Sequence, residues 1–410
     1  MLLKTAAALC LLAGVLAEKA RYDNYRVFRL TPATQSQVEA LRALEENPDG
    51  LMFWTDVRGS NFSVDVMVPP HKTPEFSELM DELRMDSSLF IADVQKLIDA
   101  EKPQAGARAT GFGWDNYYRL DNIQAWLRSL AAAHPGQVTV LSVGKSTEGR
   151  DLLGVKVSYK AGNPAVIVEA GIHAREWISP ATVTYILNQL LTSTNTTVRS
   201  VAQNYDWYFF PTTNPDGYEY THTTNRMWRK TRSRSNLLCY GVDPNRNWGF
   251  HWMEGGASSS PCSDTYAGPS AFSEPETRLL ADYVKTIPRA KVYLSVHSYS
   301  QVLLVPYGVA NIKPSNFDSL MTIGEKAVAS LAKRYGTVFD VGNTVDLMYV
   351  SSGGSEDWAR GTAQIPIAYC YELRDLGTFG FLLPAAQIVP SGEETLDSFI
   401  TLVTEARKTF

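Results

Sequence analysis

Long apolar runs are missing from this chain. The one at the N-terminus, Ala6 to Leu16, falls short of the roughly 20 residues that a membrane-spanning helix needs. Nothing downstream comes nearer, so no membrane-spanning helix is expected. Basic stripes and amphipathic basic helices are missing too, which removes the electrostatic footprint of a nucleic-acid or membrane-surface binder. Cysteine is scarce, with four in 410 residues, so little of the chain can be covalently cross-linked. What remains is an ordinary globular composition, 44% hydrophobic and 20% charged, long enough for two or more domains.

The N-terminus carries a processing signature. Lys4 precedes the apolar run, and Val15-Leu16-Ala17 ends it with small side chains at the two positions a signal peptidase reads, so residues 1–17 are expected to be a cleaved signal peptide of a secreted protein. Cys10 leaves with that segment. In an oxidising compartment Cys239 and Cys262, within one loop-like stretch, are expected to pair, leaving Cys370 as a free thiol. Closing such a loop is worth about 3 kcal/mol in the chain-entropy model. Two sequons, Asn61-Phe62-Ser63 and Asn195-Thr196-Thr197, fit the same route.

Residues 18–108 hold most of the chain's net negative charge and read as a small α+β unit. Tyr25 to Leu30, Leu51 to Asp56 and Ser63 to Val68 have strand patterns. Gln35 to Glu46 and Pro74 to Met85 have helical ones, in the order β-α-β-β-α, and Ala92 to Glu101 is helical again. Lys102 to Gly111 is rich in small residues and forms a natural exposed linker, with Arg108 open to tryptic cleavage. By itself this linker fits any two-domain protein. Residues 109–410 alternate helical patterns (Leu120 to Ala133, Ala181 to Thr192, Glu274 to Lys285) with apolar strands (Val138 to Val143, Leu153 to Val157, Ala165 to Glu169, Trp207 to Phe210, Lys291 to Val296, Ile365 to Leu373). That alternation predicts an α/β domain with a largely buried sheet and helices on both faces.

The chemistry begins at His173 and Glu176. Spaced by three, they can reach one cation from a single turn, and the distant His297 completes a three-ligand site whose fourth tetrahedral position stays open to water. An isolated pair of this spacing is more often a solvated contact on a helix. Here His173 follows one predicted strand and His297 ends another, which is where ligands gather in open α/β sheets.

Further motifs occur in order: GIHAREWISPA from residue 171, TTNPDGYEYTH from 212, NRMWRKTRS from 225, GVDPNRNWGFHW from 241, HSYSQ from 297, SSGGSEDWA from 351 and YELRD from 371. Together they resemble the secreted zinc metallocarboxypeptidases of the pancreatic A/B type, made as proenzymes, and the similarity runs from about Tyr25 to the C-terminus. The resemblance implies a mixed eight-stranded sheet covered by helices, preceded by an open-sandwich pro-domain. It turns the linker toward a removable pro-segment, cut at Arg108 by a trypsin-like protease, with the pro-domain covering the site until then. It also implies a monomer that binds one Zn2+ per chain and acts on peptide or protein C-termini.

Residue by residue, the resemblance makes His173, Glu176 and His297 the zinc ligands, with Asp243 supporting a ligand histidine. Glu372 becomes the base that takes a proton from water and passes it to the leaving amine, and Arg229 faces the developing oxyanion. Asn245 and Arg246 match the readers of the substrate's terminal carboxylate, held between Cys239 and Cys262. Tyr349 matches a mobile tyrosine that closes over substrate, and Arg175, Arg226, Ser298 and Tyr299 match positions lining adjacent subsites. Glu356 matches the position at the bottom of the family's pocket for the terminal side chain, where A-type enzymes carry an apolar residue and B-type enzymes an aspartate. A carboxylate there points to Lys or Arg termini. The alternatives are an A-type enzyme taking apolar or aromatic termini, and a zinc-containing binding protein without catalysis. By strand alternation Cys370 shares a face with Glu372 and is expected to line the same pocket without acting as a nucleophile.

Overall fold

The computed structural model describes residues 18–101 and 111–410. Residues 1–17, with Lys4 and Cys10, and the linker residues 102–110, with Arg108, lie outside the described residues. Among the described residues no helix is long and apolar enough to cross a membrane.

The N-terminal unit is a four-stranded antiparallel sheet, β1 (Arg26–Thr31), β2 (Met52–Phe53), β3 (Val64–Val68) and β4 (Asp86–Ile91), in the order β2-β3-β1-β4. Alternation gives it two working faces. Phe28, Leu30, Val64, Val66 and Val68 pack with Val38, Leu41, Phe76 and Met80 of helices Gln35–Glu46 and Thr73–Glu82 to form the unit's own core. Val27, Met67 and Ile91, on the other face, join Met227, Tyr299, Phe381 and Leu382 of the larger domain. Two expectations change here. Asp86–Ile91, which has no alternating apolar pattern, is a strand because β1 supplies its ladder bonds. The strand expected over Leu51 to Asp56 shrinks to Met52–Phe53, because Trp54, Thr55 and Asp56 leave the sheet and reach over the cavity described below.

The larger domain is an eight-stranded mixed sheet: β5 (Val138–Lys145), β6 (Asp151–Val157), β7 (Ala165–Ala170), β8 (Asp206–Phe210), β9 (Ala290–Ser298), β10 (Val302–Val305), β11 (Asp340–Asn343) and β12 (Ile367–Leu373). Their spatial order is β11-β10-β12-β9-β7-β8-β6-β5. The central strands β12, β9, β7 and β8 run parallel, and antiparallel pairings flank them. Strand β7 is buried at every position, as a central parallel strand must be. Val166, Val168 and Ala170 face a large core under helices Leu120–Ala133, Ile178–Thr192, Phe317–Tyr335 and Ile388–Ala406, while Ala165 and Ile167 face a second core under Pro275–Thr286 and Ser355–Gly361. Helix Leu120–Ala133 shows why these segments fold as helices: Leu120, Ile123, Leu127 and Leu130 repeat at helical spacing and are all buried. From β7 the chain crosses to β8 on one side and then back to β9 on the other. That reversal opens a crevice at the strands' C-terminal ends.

Candidate active site

Strand alternation also builds the site. One face of the sheet carries Ala165, Ile167 and Glu169 on β7, Tyr293, Ser295 and His297 on β9, and Ala368, Cys370 and Glu372 on β12. The apolar members pack beneath Trp358 and Leu280. At the strand ends the same rows turn polar. Gly171, with φ +65°, reverses the chain after β7, and a Cβ there would lie 2.9 Å from the Pro211 carbonyl oxygen, so glycine is required. The turn that follows returns His173 and Glu176 to the crevice, with the Glu176 N–H donating to the His173 carbonyl at 3.3 Å.

His173, Glu176 and His297 are all buried and offer ligand atoms within 4.8 Å of one another. His173 Nδ1 lies 2.8 Å from Glu176 Oε1 and 3.1 Å from His297 Nδ1, and His297 Nδ1 lies 3.2 Å from Glu176 Oε2. Zinc bonds of the usual length at tetrahedral angles separate ligand atoms by about 3.3 Å, so this donor set fits that ion. The outer ring nitrogens are held: His173 Nε2 by Asp243 Oδ1 at 3.1 Å and His297 Nε2 by Ser295 Oγ at 2.9 Å. Both Nδ1 atoms converge with the Glu176 carboxylate, as cation ligands must.

Asp243 ties the centre to the groups around it. Its Oδ2 accepts from Arg229 Nη2 at 2.8 Å and Nε at 3.1 Å, and its Oδ1 accepts from the Asn245 N–H at 2.8 Å. Burial by itself would raise this carboxyl, but Arg229 and His173 overrule it and hold it well below the ordinary range. Arg229 stays charged for the matching reason: Asp243 and Asp56 outweigh the effect of burial. The Cys239–Cys262 disulfide closes the loop that carries Asp243, Asn245 and Arg246.

One cavity is lined by His173, Glu176, Arg229, Asn245, Arg246, Ser298, Tyr299, Tyr349, Glu356, Cys370 and Glu372. Burial raises the Glu372 carboxyl to about 8 against the pull of His297 and Arg229, and Glu176 adds to the rise. Glu356 is buried in the same cavity, which Leu304, Thr344 and Met348 also line, and among the described residues its Oε2 has no hydrogen-bond partner. Burial pushes this carboxyl up, and pushes the Cys370 thiol well above its usual value. Cys370 thus shares the cavity with Glu372 as a protonated, small wall residue. Arg175 and Arg226 lie outside the lining. Arg175 stacks on Phe381 at 4.3 Å, and Arg226 donates to the carbonyls of Arg175 and Phe381.

The family model described as zinc carboxypeptidase matches residues 123–398, and the carboxypeptidase activation peptide model matches residues 28–101. The chain belongs to the zinc carboxypeptidase family. It is a metallocarboxypeptidase made with an activation peptide. The "Zinc carboxypeptidase A 1" of Anopheles gambiae is 50% identical over 396 residues, covering 95% of this chain and 91% of its own. "Carboxypeptidase B" of Astacus astacus is 45% identical over 301 residues, covering 72% of this chain and 99% of its own. The crystal structure of carboxypeptidase A from Helicoverpa armigera superposes with a TM-score of 0.87 at 30% identity, over 94% of this chain and 98% of that one.

In this carboxypeptidase the activation peptide enters the site itself. Trp54, Thr55 and Asp56 line the cavity, and Asp56 Oδ2 accepts from Arg246 Nη2 at 3.3 Å, beside the Tyr349 hydroxyl at 3.4 Å. A carboxylate of the chain's own thus sits on the arginine matched to a carboxylate reader. Glu101 chelates Arg226 at 2.7 Å through both oxygens, and Asp65 accepts from Arg29 and from the Tyr299 hydroxyl at 2.8 Å. Sequence reasoning missed all three acidic residues, since no local pattern says which side chains of one domain will meet another: Asp56 follows β2, Asp65 lies within β3 and Glu101 caps a helix. It also missed Ser295, although that residue's place two before His297 on one strand was a usable sign.

Proposed function

We propose that this carboxypeptidase removes single Lys or Arg residues from the C-termini of peptides, as a secreted enzyme released from its proenzyme by a trypsin-like cut at Arg108. In this reading residues 1–17 are the signal peptide, 18–108 the pro-segment with its linker and 109–410 the enzyme. The observation that carries the basic preference is Glu356, buried in the cavity with an Oε2 that has no partner among the described residues. A buried carboxylate is costly unless a cation meets it, and a substrate Lys or Arg side chain supplies one.

His173, Glu176 and His297 would hold the zinc, which when bound polarises the scissile carbonyl and the attacking water. Arg246 and Asn245 grip the terminal carboxylate, the guanidinium pairing with both its oxygens. Tyr349 closes over the bound residue. Glu372 takes the proton from water and delivers it to the leaving nitrogen. Arg229, already aligned by Asp243, faces the oxygen on which negative charge develops, where a fixed cation stabilises the transition state more than the ground state. Ser298 and Tyr299, and Arg175 with Arg226 once the pro-segment has gone, border the neighbouring subsites.

A preference for apolar or aromatic termini is the second reading, favoured by the "A 1" name of the Anopheles relative. The deciding experiment is kcat/KM of trypsin-treated, zinc-loaded protein on matched blocked dipeptides ending in Lys, Arg, Leu and Phe, with and without chelator. Chelator-sensitive preference for Lys and Arg is expected. Equal rates on all four would sink charge pairing, and Leu or Phe preference would establish the second reading. No turnover on any would bring forward a silent zinc-containing binding protein.

The intact proenzyme should turn over such substrates far more slowly than the cleaved form, because Asp56 occupies Arg246. Asp56→Asn should raise the residual activity of uncleaved protein about tenfold, as loss of a charge-assisted hydrogen bond of about 1.5 kcal/mol implies. Initial rates with the cleavage blocked by Arg108→Gln check this, and unchanged residual activity would mean that Asp56 does not act as the plug.

A further inference from the structure

Glu169 lies wholly inside the enzyme at 0% exposure, near the end of β7, and no role above uses it. Its partners are hydroxyls. Oε1 accepts from Ser295 Oγ at 2.5 Å and from Ser355 Oγ at 2.7 Å, and Oε2 accepts from Thr213 Oγ1 at 3.4 Å. Glu169 and Ser295 face each other in the parallel register of β7 and β9, and Ser295 precedes His297 by two on the same strand face. The Ser295 Oγ is also the atom 2.9 Å from His297 Nε2.

A serine hydroxyl has one proton and two lone pairs, whereas an ionised carboxylate only accepts. Once the Ser295 hydroxyl donates its one hydrogen bond to Glu169, its oxygen can only accept from His297. The Nε2 of that ring must then carry the hydrogen, and Nδ1 is left with the lone pair that faces Glu176. We infer that Glu169 is a positioning residue for the metal centre, fixing through Ser295 the tautomer and ring orientation in which His297 presents Nδ1 to zinc. This rests on His297 being a zinc ligand. The Ser355 hydroxyl takes up another lone pair of the same Oε1.

Glutamine at this position has nearly the same shape but brings an N–H donor. That donor lets Ser295 turn round and offer its proton to Nε2, which favours the wrong tautomer. The test uses full-length protein, with Zn2+ affinity measured by competition against a chromophoric chelator and the ligand field read from the visible spectrum of the Co2+ form. Glu169→Gln and Ser295→Ala should each weaken zinc binding by about 10- to 100-fold. The double variant should be no weaker than Ser295→Ala alone, the Co2+ bands of both single variants should shift, and the metal-free forms should unfold near the wild-type temperature. Wild-type affinity in Glu169→Gln overturns the proposal. So does wild-type affinity in Ser295→Ala, a variant that also decides the matter should Glu169→Gln fail to fold. Additive losses in the double variant overturn it too, because they mean that Glu169 acts by charge and not through Ser295. A wild-type protein that binds no stoichiometric zinc overturns the ligand assignment itself, and the proposal with it.

Discussion

Replacing Glu372 with glutamine should lower kcat on a Lys-terminated dipeptide by about 10^2- to 10^4-fold, the usual contribution of a positioned general acid–base, while leaving zinc content and KM nearly unchanged. The substitution keeps the side chain's shape at the end of β12 and removes its ability to accept a proton. Glu372 lines the same cavity as His173, Glu176 and Arg229. Its effect belongs to the transition state, so kcat and kcat/KM should fall together. Steady-state kinetics on the cleaved protein, with metal analysis of the same sample, make the measurement. A kcat within tenfold of wild type would remove Glu372 from the mechanism. Loss of zinc alongside activity would assign it to metal binding instead.

Replacing Glu356 with glutamine should lower kcat/KM for Lys and Arg termini by about 10^2- to 4 × 10^3-fold, and leave Leu termini unchanged or improved. Breaking one side of a buried ion pair costs about 3–5 kcal/mol, and each 1.4 kcal/mol is a factor of ten. In the free enzyme burial already pushes this carboxyl up, and its neighbour Asp357 is raised well above its ordinary value by burial and by Glu356. The pocket therefore gains most from a ligand that brings positive charge. Because the folded-state value is raised, the basic substrate should bind better as pH increases through the range in which Glu356 ionises, and Glu356→Gln should flatten that dependence. Parallel kcat/KM profiles on Lys and Leu substrates read both effects. Equal losses on the two substrates would show that Glu356 supports the pocket without selecting its occupant.

Much of the fold was legible because its elements follow local periodicities. Helix Leu120–Ala133 and the strands of the central sheet declare themselves by spacing and by continuous apolar runs. Other elements did not. Strand β4 is mostly exposed and owes its conformation to pairing with β1. Strand β2 is cut short because the residues after it are drawn into the neighbouring domain's cavity. Where pairing partners or another domain decide the conformation, the local pattern carries no signal.

The same division runs through the site. The chain by itself determined the metal-binding triad and the class of enzyme, since His173 and Glu176 sit one turn apart and the matched motifs occur in unbroken order. Strand alternation was enough to place Cys370 and Glu372 on one face. Only the tertiary structure decided that Asp56 lies on Arg246, that Glu101 holds Arg226, that Glu356 is buried with no partner for its Oε2 among the described residues, and that Glu169 reaches His297 through Ser295. Each of these joins residues from separate elements. Their distances follow from how the sheet stacks its strands and how the two domains dock, and no spacing along the chain encodes them.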